Sequence, residues 1–247
     1  MNDGYVYVAS MSRAFYKAAV QSADSLKDFY PEAKITIFTH PEFFEERDRK
    51  LFEHVHLDAP YHTRAKMEGM ARTPYDRTFY LDSDTEIRSE KIKDVFDILD
   101  GNDIMFTKII PHVSNTRRID DENNLEYHGG VILYNNKPQT IKLIEDWYEL
   151  YRYQKSTPWK ESKFSQYDEG MKPWDQFTIW YLLFKDPRYS NIKHKFFPNG
   201  GTSYNFIYLL EDPSAKANKP YLSLEQIVYH YTIPGDRVNA GRLKDKS

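Results

Sequence analysis

A short apolar run, Tyr5 to Ala9, is followed by a helical pattern and then by a second apolar run, Lys34 to Thr39. Strand, helix, strand at this spacing reads as a βαβ unit. No other feature narrows the fold so far. Two strands joined through a helix run parallel, and a parallel sheet must be covered on both faces. The chain is therefore expected to be α/β, with a mixed, mainly parallel sheet flanked by helices.

The rest of the chain extends this pattern. Phe15, Ala18, Ala19, Ser22, Ala23, Leu26 and Phe29 recur at three- and four-residue spacing, with Ser12 placed to cap the helix and Pro31 to stop it. Further strands are expected at His54 to Leu57, Arg77 to Leu81, Asp103 to Thr107 and Gly130 to Tyr134. Helices are expected at Arg64 to Ala71, Ile92 to Leu99, around Ile141 to Tyr151, and from Asp175 to Phe184. A length of 247 residues suits one large α/β domain. Two long polar segments, Pro111 to Tyr127 and Gln154 to Pro173, lack periodicity, and such loops tend to be functional. The second is expected to set specificity and to move as a lid. Trp159, Tyr167 and Trp174, in or beside it, are candidates for stacking on a ligand ring or for the core.

Composition removes several classes of function. Lys+Arg 34 against Asp+Glu 37 leaves no basic footprint for nucleic acid and no cationic membrane face. The absence of Cys rules out disulfides, a thiolate zinc site and a Cys nucleophile, and fits a cytoplasmic protein. No run approaches the roughly 20 apolar residues of a membrane span, and the opening residues show no secretory signal.

The chemistry concentrates at Asp82-Ser83-Asp84. An Asp-x-Asp triplet alone means little. Here it follows the strand Arg77 to Leu81, which delivers it to the carboxyl edge of a parallel sheet, where ligands bind in open α/β folds. On an extended backbone Asp82 and Asp84 point the same way. Two converging carboxylates repel unless a divalent cation neutralises them, and Mg²⁺ or Mn²⁺ suits such oxygen ligands. His230, in the short aromatic run Val228 to Tyr231, completes this metal site if the tail of the chain returns to the same edge. Taken alone, a histidine in such a run is more often a packed side chain.

These residues resemble the strand-plus-DxD element of GT-A type glycosyltransferases, closest to glycosyltransferase family eight, the glycogenin and galactosyltransferase-like group. Four more elements fall in that group's order. Lys66 precedes Asp82 where the family has a lysine on the sugar nucleotide. His128-Gly129-Gly130-Val131 stands at the family's Asn-Ser-Gly-Val turn. Asp175-Gln176 matches the pair facing the donor sugar. His230, followed by Gly235 and Arg237, resembles the metal-binding histidine with its glycine and basic phosphate contact. His128-Gly129 replaces Asn-Ser, and the usual Lys-Pro-Trp ending is missing, so Arg237 or Lys244 has to supply the cation.

The resemblance implies transfer of a sugar from a nucleotide diphosphate donor, UDP-linked foremost, to a hydroxyl acceptor such as a glycan, with retention. It implies a metal held by Asp82, Asp84 and His230, and a donor contacted by Lys66, Ser83, Gly129, Gly130, Gly235 and Arg237. Residues 1–110 would form the nucleotide-binding half and 111–247 the acceptor-binding half with the phosphate-binding tail. The nucleotide is expected across the end of the first strand, near Ala9, Ser10 and Thr39. Asp175 or Gln176 would face the anomeric carbon, although Asp175 also suits the start of the helix that follows. Two rival readings remain. A metal-dependent phosphohydrolase would want Thr or Val where Glu86 stands. A non-catalytic module binding sugar nucleotides or glycans shares every feature above.

Overall fold

The computed structural model describes residues 1–242, with the backbone alone at 111 and 112. Lys244 lies outside the described residues. The strands are β1 (Asp3–Ala9), β2 (Ile35–Thr39), β3 (His54–His56), β4 (Arg77–Leu81) and β5 (Thr85–Ile87). They continue as β6 (Ile104–Lys108), β7 (Tyr127–Asn135), β8 (His194–Phe196), β9 (Phe206–Ile207) and β10 (Val228–His230). The helices are α1 (Arg13–Phe29), α2 (Ala65–Ala71), α3 (Pro111–Ser114), α4 (Pro138–Ser156), α5 (Asp175–Lys185) and α6 (Gly235–Ala240).

Seven strands form one sheet in the order β3-β2-β1-β4-β7-β6-β8. Only β7 runs against its neighbours, β4 and β6. The sheet is therefore mixed and mainly parallel, as the βαβ reading requires. Strands from both halves of the chain share it, since β7 inserts between β4 and β6. Side-chain alternation sorts the core into two layers. Tyr5, Tyr7, Ile35, Ile37, Phe79 and Leu81 pack on one face under α1 and the 3-10 turns of Glu90–Leu99. Val6, Val8, Phe38, Tyr80, Phe106 and Ile132 pack on the other under α2, α4 and α5. Among the described residues, no helix is long and apolar enough to cross a membrane.

Ser12 caps α1 as expected, its side chain accepting from the Ala14 amide. The segment Gln154 to Pro173 differs from the expected lid. Its first residues belong to α4, and Trp159, Phe164 and Met171 are buried. The Gln154 amide donates to the carbonyls of Met171, Lys172 and Trp174. Trp159 packs at a tilt against Phe164 and Phe177, and its ring N–H donates to the Tyr167 carbonyl at 3.0 Å. Its apolar area holds the segment to the core, so Trp159 is a packing residue rather than a sugar platform.

Asp103 ties three strands at the opposite edge. Its carboxylate accepts from Asn135 at 2.9 Å, Lys137 at 2.7 Å and the Lys193 amide at 2.9 Å. Burial pushes this carboxyl up, but those three donors outweigh it and hold it below the usual carboxylate range. The stabilisation is therefore present above the unfolded pKa and lost as pH falls through the folded one. Asp103→Asn is expected to cost about 2 kcal/mol at pH 7, read as a Tm lower by about 4–8 °C for a chain of this size. The gap between variant and wild type should narrow near pH 3; a gap that stays constant would show that the charge is not what Asp103 contributes.

Candidate metal and nucleotide site

β4 ends at Leu81 and β5 begins at Thr85, so Asp82-Ser83-Asp84 is the step from the main sheet to a small second one, ordered β5-β10-β9. The Asp82 amide still donates to the Gly130 carbonyl at 2.8 Å, extending the β4–β7 ladder by one residue. Ser83 turns inward and is buried, with its hydroxyl 3.5 Å from the Val8 carbonyl. The turn at Ser83-Asp84 leaves carboxylate oxygens of Asp82 and Asp84 facing the same place. Thr85 is buried too, bonded to Ser22 and to the Asp82 carbonyl, so it braces the step.

The second sheet brings the tail to this step. β10 pairs antiparallel with β5, placing His230 opposite Thr85, and the Tyr231 amide donates to the Asp84 carbonyl at 3.0 Å. One ligand atom each from Asp82, Asp84 and His230 lies within 4.8 Å of the others. His230 Nε2 is 3.2 Å from Asp84 Oδ1. Its Nδ1 is 2.8 Å from Asn205 Oδ1, and the Asn205 amide nitrogen donates to Thr107. With the amide so placed, His230 Nδ1–H donates to Asn205 Oδ1 and Nε2 faces the carboxylates. Two carboxylates and an imidazole so oriented are a donor set that fits Mn²⁺ or Mg²⁺.

Around them the site is strongly polarised. Lys66 Nζ lies 3.5 Å from Asp82 Oδ1 and donates to the Gly129 carbonyl at 2.7 Å. The Tyr80 hydroxyl donates to Asp82 at 2.5 Å. Burial would raise the Asp82 carboxyl, but Lys66, His230, the Tyr80 hydrogen bond and His128 hold it below the ordinary value. Burial would likewise discharge His230, yet its contacts with Asp84 and Asp82 raise it above an ordinary histidine. His128 goes the other way, to about 3, through burial and the neighbouring His230 charge. Its ring meets His230 edge to face with centroids 5.5 Å apart, and its Nδ1 accepts from the Gly130 amide at 3.0 Å. Gly130 is the closest approach: a Cβ there would sit 2.7 Å from His230, 2.8 Å from His128 and 2.9 Å from Asp82.

A cavity of about 300 Å³ opens beside the aspartates, lined by Ser10, Arg64, Lys66, Ser83, Arg242 and others. Ser10 belongs to it and also donates to the Pro60 carbonyl. Ala9 and Thr39 do not reach it. Both are fully buried beneath it, and the Thr39 hydroxyl is committed to the Ala9 carbonyl at 2.9 Å. Gly235 and Arg237 are also elsewhere. α6 docks on the start of α1, where Ser12 Oγ donates to the Val238 carbonyl and the Arg13 amide to the Gly241 carbonyl. This docking leaves Gly235 in the open and faces Arg237 into a separate cavity with Lys17. It carries Arg242, bridged to Ser12, onto the cavity beside the aspartates instead. Among the described residues, Arg242 is the basic side chain of the tail that lines this cavity.

Asp175 and Gln176 open α5, behind Gly129. Asp175 Oδ2 would lie 3.9 Å from a Cβ on Gly129. Trp174 occupies the cap position without a side-chain cap bond, so the Asp175 carboxylate is not spent on the helix end. It is 2 % exposed and pairs through Oδ1 with Arg64 at 3.1 Å. Its Oδ2, the Gln176 Oε1 and the Arg64 Nε are all buried without a hydrogen-bond partner. Unsatisfied buried polar atoms are costly; of these three residues Arg64 lines the cavity, and Asp175 is paired with it from behind. Arg64, Asn205 and Arg242 were not visible in the sequence as site residues. Only the sixteen-residue lead of Lys66 pointed toward the helix that Arg64 precedes.

No protein-family model matches the chain, and no curated protein matches it. Solved structures do match. The glycosyltransferase GlyE of Streptococcus pneumoniae TIGR4 aligns over 96% of this chain with a TM-score of 0.60 at 20% identity. The chain spans 55% of that protein's length. The galactosyltransferase LgtC, solved with donor and acceptor sugar analogs, aligns over 94% of this chain and 87% of its own, with a TM-score of 0.51 at 17% identity. Mouse xyloside xylosyltransferase 1 aligns over 94% of this chain and 100% of its own, with a TM-score of 0.51 at 14% identity. At these identities the likeness is one of fold, and the fold of this chain is the GT-A fold of glycosyltransferases.

Proposed function

We propose that this protein is a metal-dependent glycosyltransferase that moves a sugar from a nucleoside diphosphate donor, UDP-linked, to a hydroxyl of a glycan acceptor, with retention. One observation carries this reading: Asp82, Asp84 and His230 converge within 4.8 Å at the carboxyl edge of a glycosyltransferase-like sheet. A bound Mn²⁺ or Mg²⁺ would act there as a Lewis acid on the leaving diphosphate.

The chain's own residues divide the remaining work. Lys66 and Arg242 supply fixed positive charge toward the diphosphate, pre-oriented in a partly dry cavity. Ser10 and Ser83 line the floor on which the nucleotide lies, with donors from residues 1–110. Gly130 keeps the space between the histidines and Asp82 free of side chain. Asp175 Oδ2 and Gln176 Oε1, buried and unpaired, accept hydroxyl hydrogens of the transferred sugar and place its anomeric carbon. Arg64 holds Asp175 in that position through their ion pair. The acceptor then enters from the side built by residues 111–247.

Calorimetric titration of UDP-sugars with and without Mn²⁺ tests this directly. Binding is expected with Mn²⁺ and at least 10-fold weaker without it, and the anomeric configuration of the product, read by NMR, should match that of the donor. Hydrolysis of a simple phosphate monoester with no affinity for any sugar nucleotide would replace this reading with the phosphohydrolase.

A further inference from the structure

Arg117 lies over the Trp174 ring, its guanidinium carbon 3.7 Å from the ring centroid. The backbone of Arg117 is held on both sides, its amide donating to the Ser114 carbonyl at 2.9 Å and its carbonyl accepting from Leu125 at 2.8 Å. Among the described residues, no carboxylate pairs with this guanidinium and no side-chain hydrogen bond engages it. Burial alone acts on its charge, lowering it from the ordinary arginine value with no acid to offset the effect. The aromatic face steadies this partly buried cation and leaves its donors without a protein acceptor, open to an anion.

Its position is informative. His128 packs on His230. Trp174 directly precedes Asp175, which lies behind Gly129. The pair therefore flanks the turn next to the metal ligands, while neither residue lines the cavity that holds Ser10, Lys66 and Arg242. The donor's own charges have Lys66 and Arg242. Arg117 offers a second, separate anion contact, and its planar fork is matched to a carboxylate or phosphate.

We propose that Arg117, stacked on Trp174, recognises a negatively charged group on the acceptor sugar, a carboxylate or a phosphate. This rests on the glycosyl-transfer reading. A neutral glycan leaves the guanidinium unpaired; an acidic one neutralises it, so acceptors carrying an acid are preferred over neutral ones of the same shape.

The test uses three small probes on the whole protein: methyl glucuronide, glucose 6-phosphate and the neutral methyl glucoside, titrated by NMR. At least one charged sugar is expected to bind about 10- to 100-fold more tightly than the glucoside, the range of a charge-assisted hydrogen bond, and the tighter of the two identifies the acid. Arg117→Gln should bring the charged sugar to within about twofold of the neutral one, with Arg117→Lys in between because it keeps the charge and loses the fork. Equal binding of all three probes by the wild type overturns the proposal. So does an Arg117→Gln variant that weakens charged and neutral sugars alike, or that weakens UDP-sugar binding instead. Failure of the wild type to bind any UDP-sugar with Mn²⁺ sinks the transferase reading while the preference for charge is still read from the probes.

Discussion

Asp84→Ala is expected to lower turnover of a UDP-sugar by about 1000-fold or more, equivalent to roughly 4 kcal/mol of lost transition-state stabilisation. The change removes one of two carboxylates and the partner of His230 Nε2 at the same moment. The fold should stay intact, because what Asp84 contributes to it is backbone: its carbonyl receives the Tyr231 amide whatever the side chain. Removing one of two neighbouring negative charges also relieves repulsion in the metal-free protein. Tm without metal is therefore expected to move by no more than a few degrees in either direction. With metal the two proteins should separate. A cation at about 100 times its dissociation constant stabilises the wild type by about 2.7 kcal/mol, and the variant should show almost none of that. Thermal unfolding with and without Mn²⁺, alongside an activity assay, reads both effects. A variant that keeps its turnover and its metal-induced rise in Tm would place the cation elsewhere.

Gly130→Ala is a steric test of the same centre. The added methyl meets the rings of His230 and His128 and the Asp82 carboxylate, all closer than 3.0 Å. None of the three is a flexible tip that can swing aside. His230 is tied to Asn205, His128 to the Gly130 amide, and Asp82 to Tyr80. At least one must move, and ligands displaced in this way lose about 10- to 100-fold in metal affinity. Overpacking adds about 1–3 kcal/mol of destabilisation. Gly129→Ala is the internal comparison. Its methyl meets chiefly the end of Lys66 at 3.1 Å, a long side chain that can adjust. Activity of Gly130→Ala should fall at least 10-fold further than that of Gly129→Ala. Equal losses in the two variants would show that the turn, rather than the meeting point of the ligands, is what matters.

What could be seen in the sequence follows from how local the signal is. β1, α1, β2 and β4 have strong periodicity, and each stands within a residue or two of its expected place. The reversal of β7 has no local signature, since strand direction depends on which neighbour a strand finds. β5, β8 and β9 are two or three residues long, too short to show alternation. The aspartates were legible because strand and carboxylates are contiguous. Asn205 was not, because a histidine's supporting partner is chosen by tertiary closure. The placing of Arg237 has the same origin. The spacing from His230 shows a basic residue in this stretch, but the docking of α6 on Ser12 and Arg13 decides which side chain faces the cavity, and among the described residues that is Arg242. Ala9 and Thr39 share the strand ends with Ser10 but are fully buried and do not line the cavity, a depth that strand position alone does not show.

The small sheet that carries His230 also separates scaffold from chemistry in time. During synthesis every strand of the large sheet, ending with β8, leaves the ribosome before β10 does. A nascent chain can thus settle its main framework while its acidic pair still lacks the imidazole, and Asp82, Asp84 and His230 meet only once β10 zips against β5.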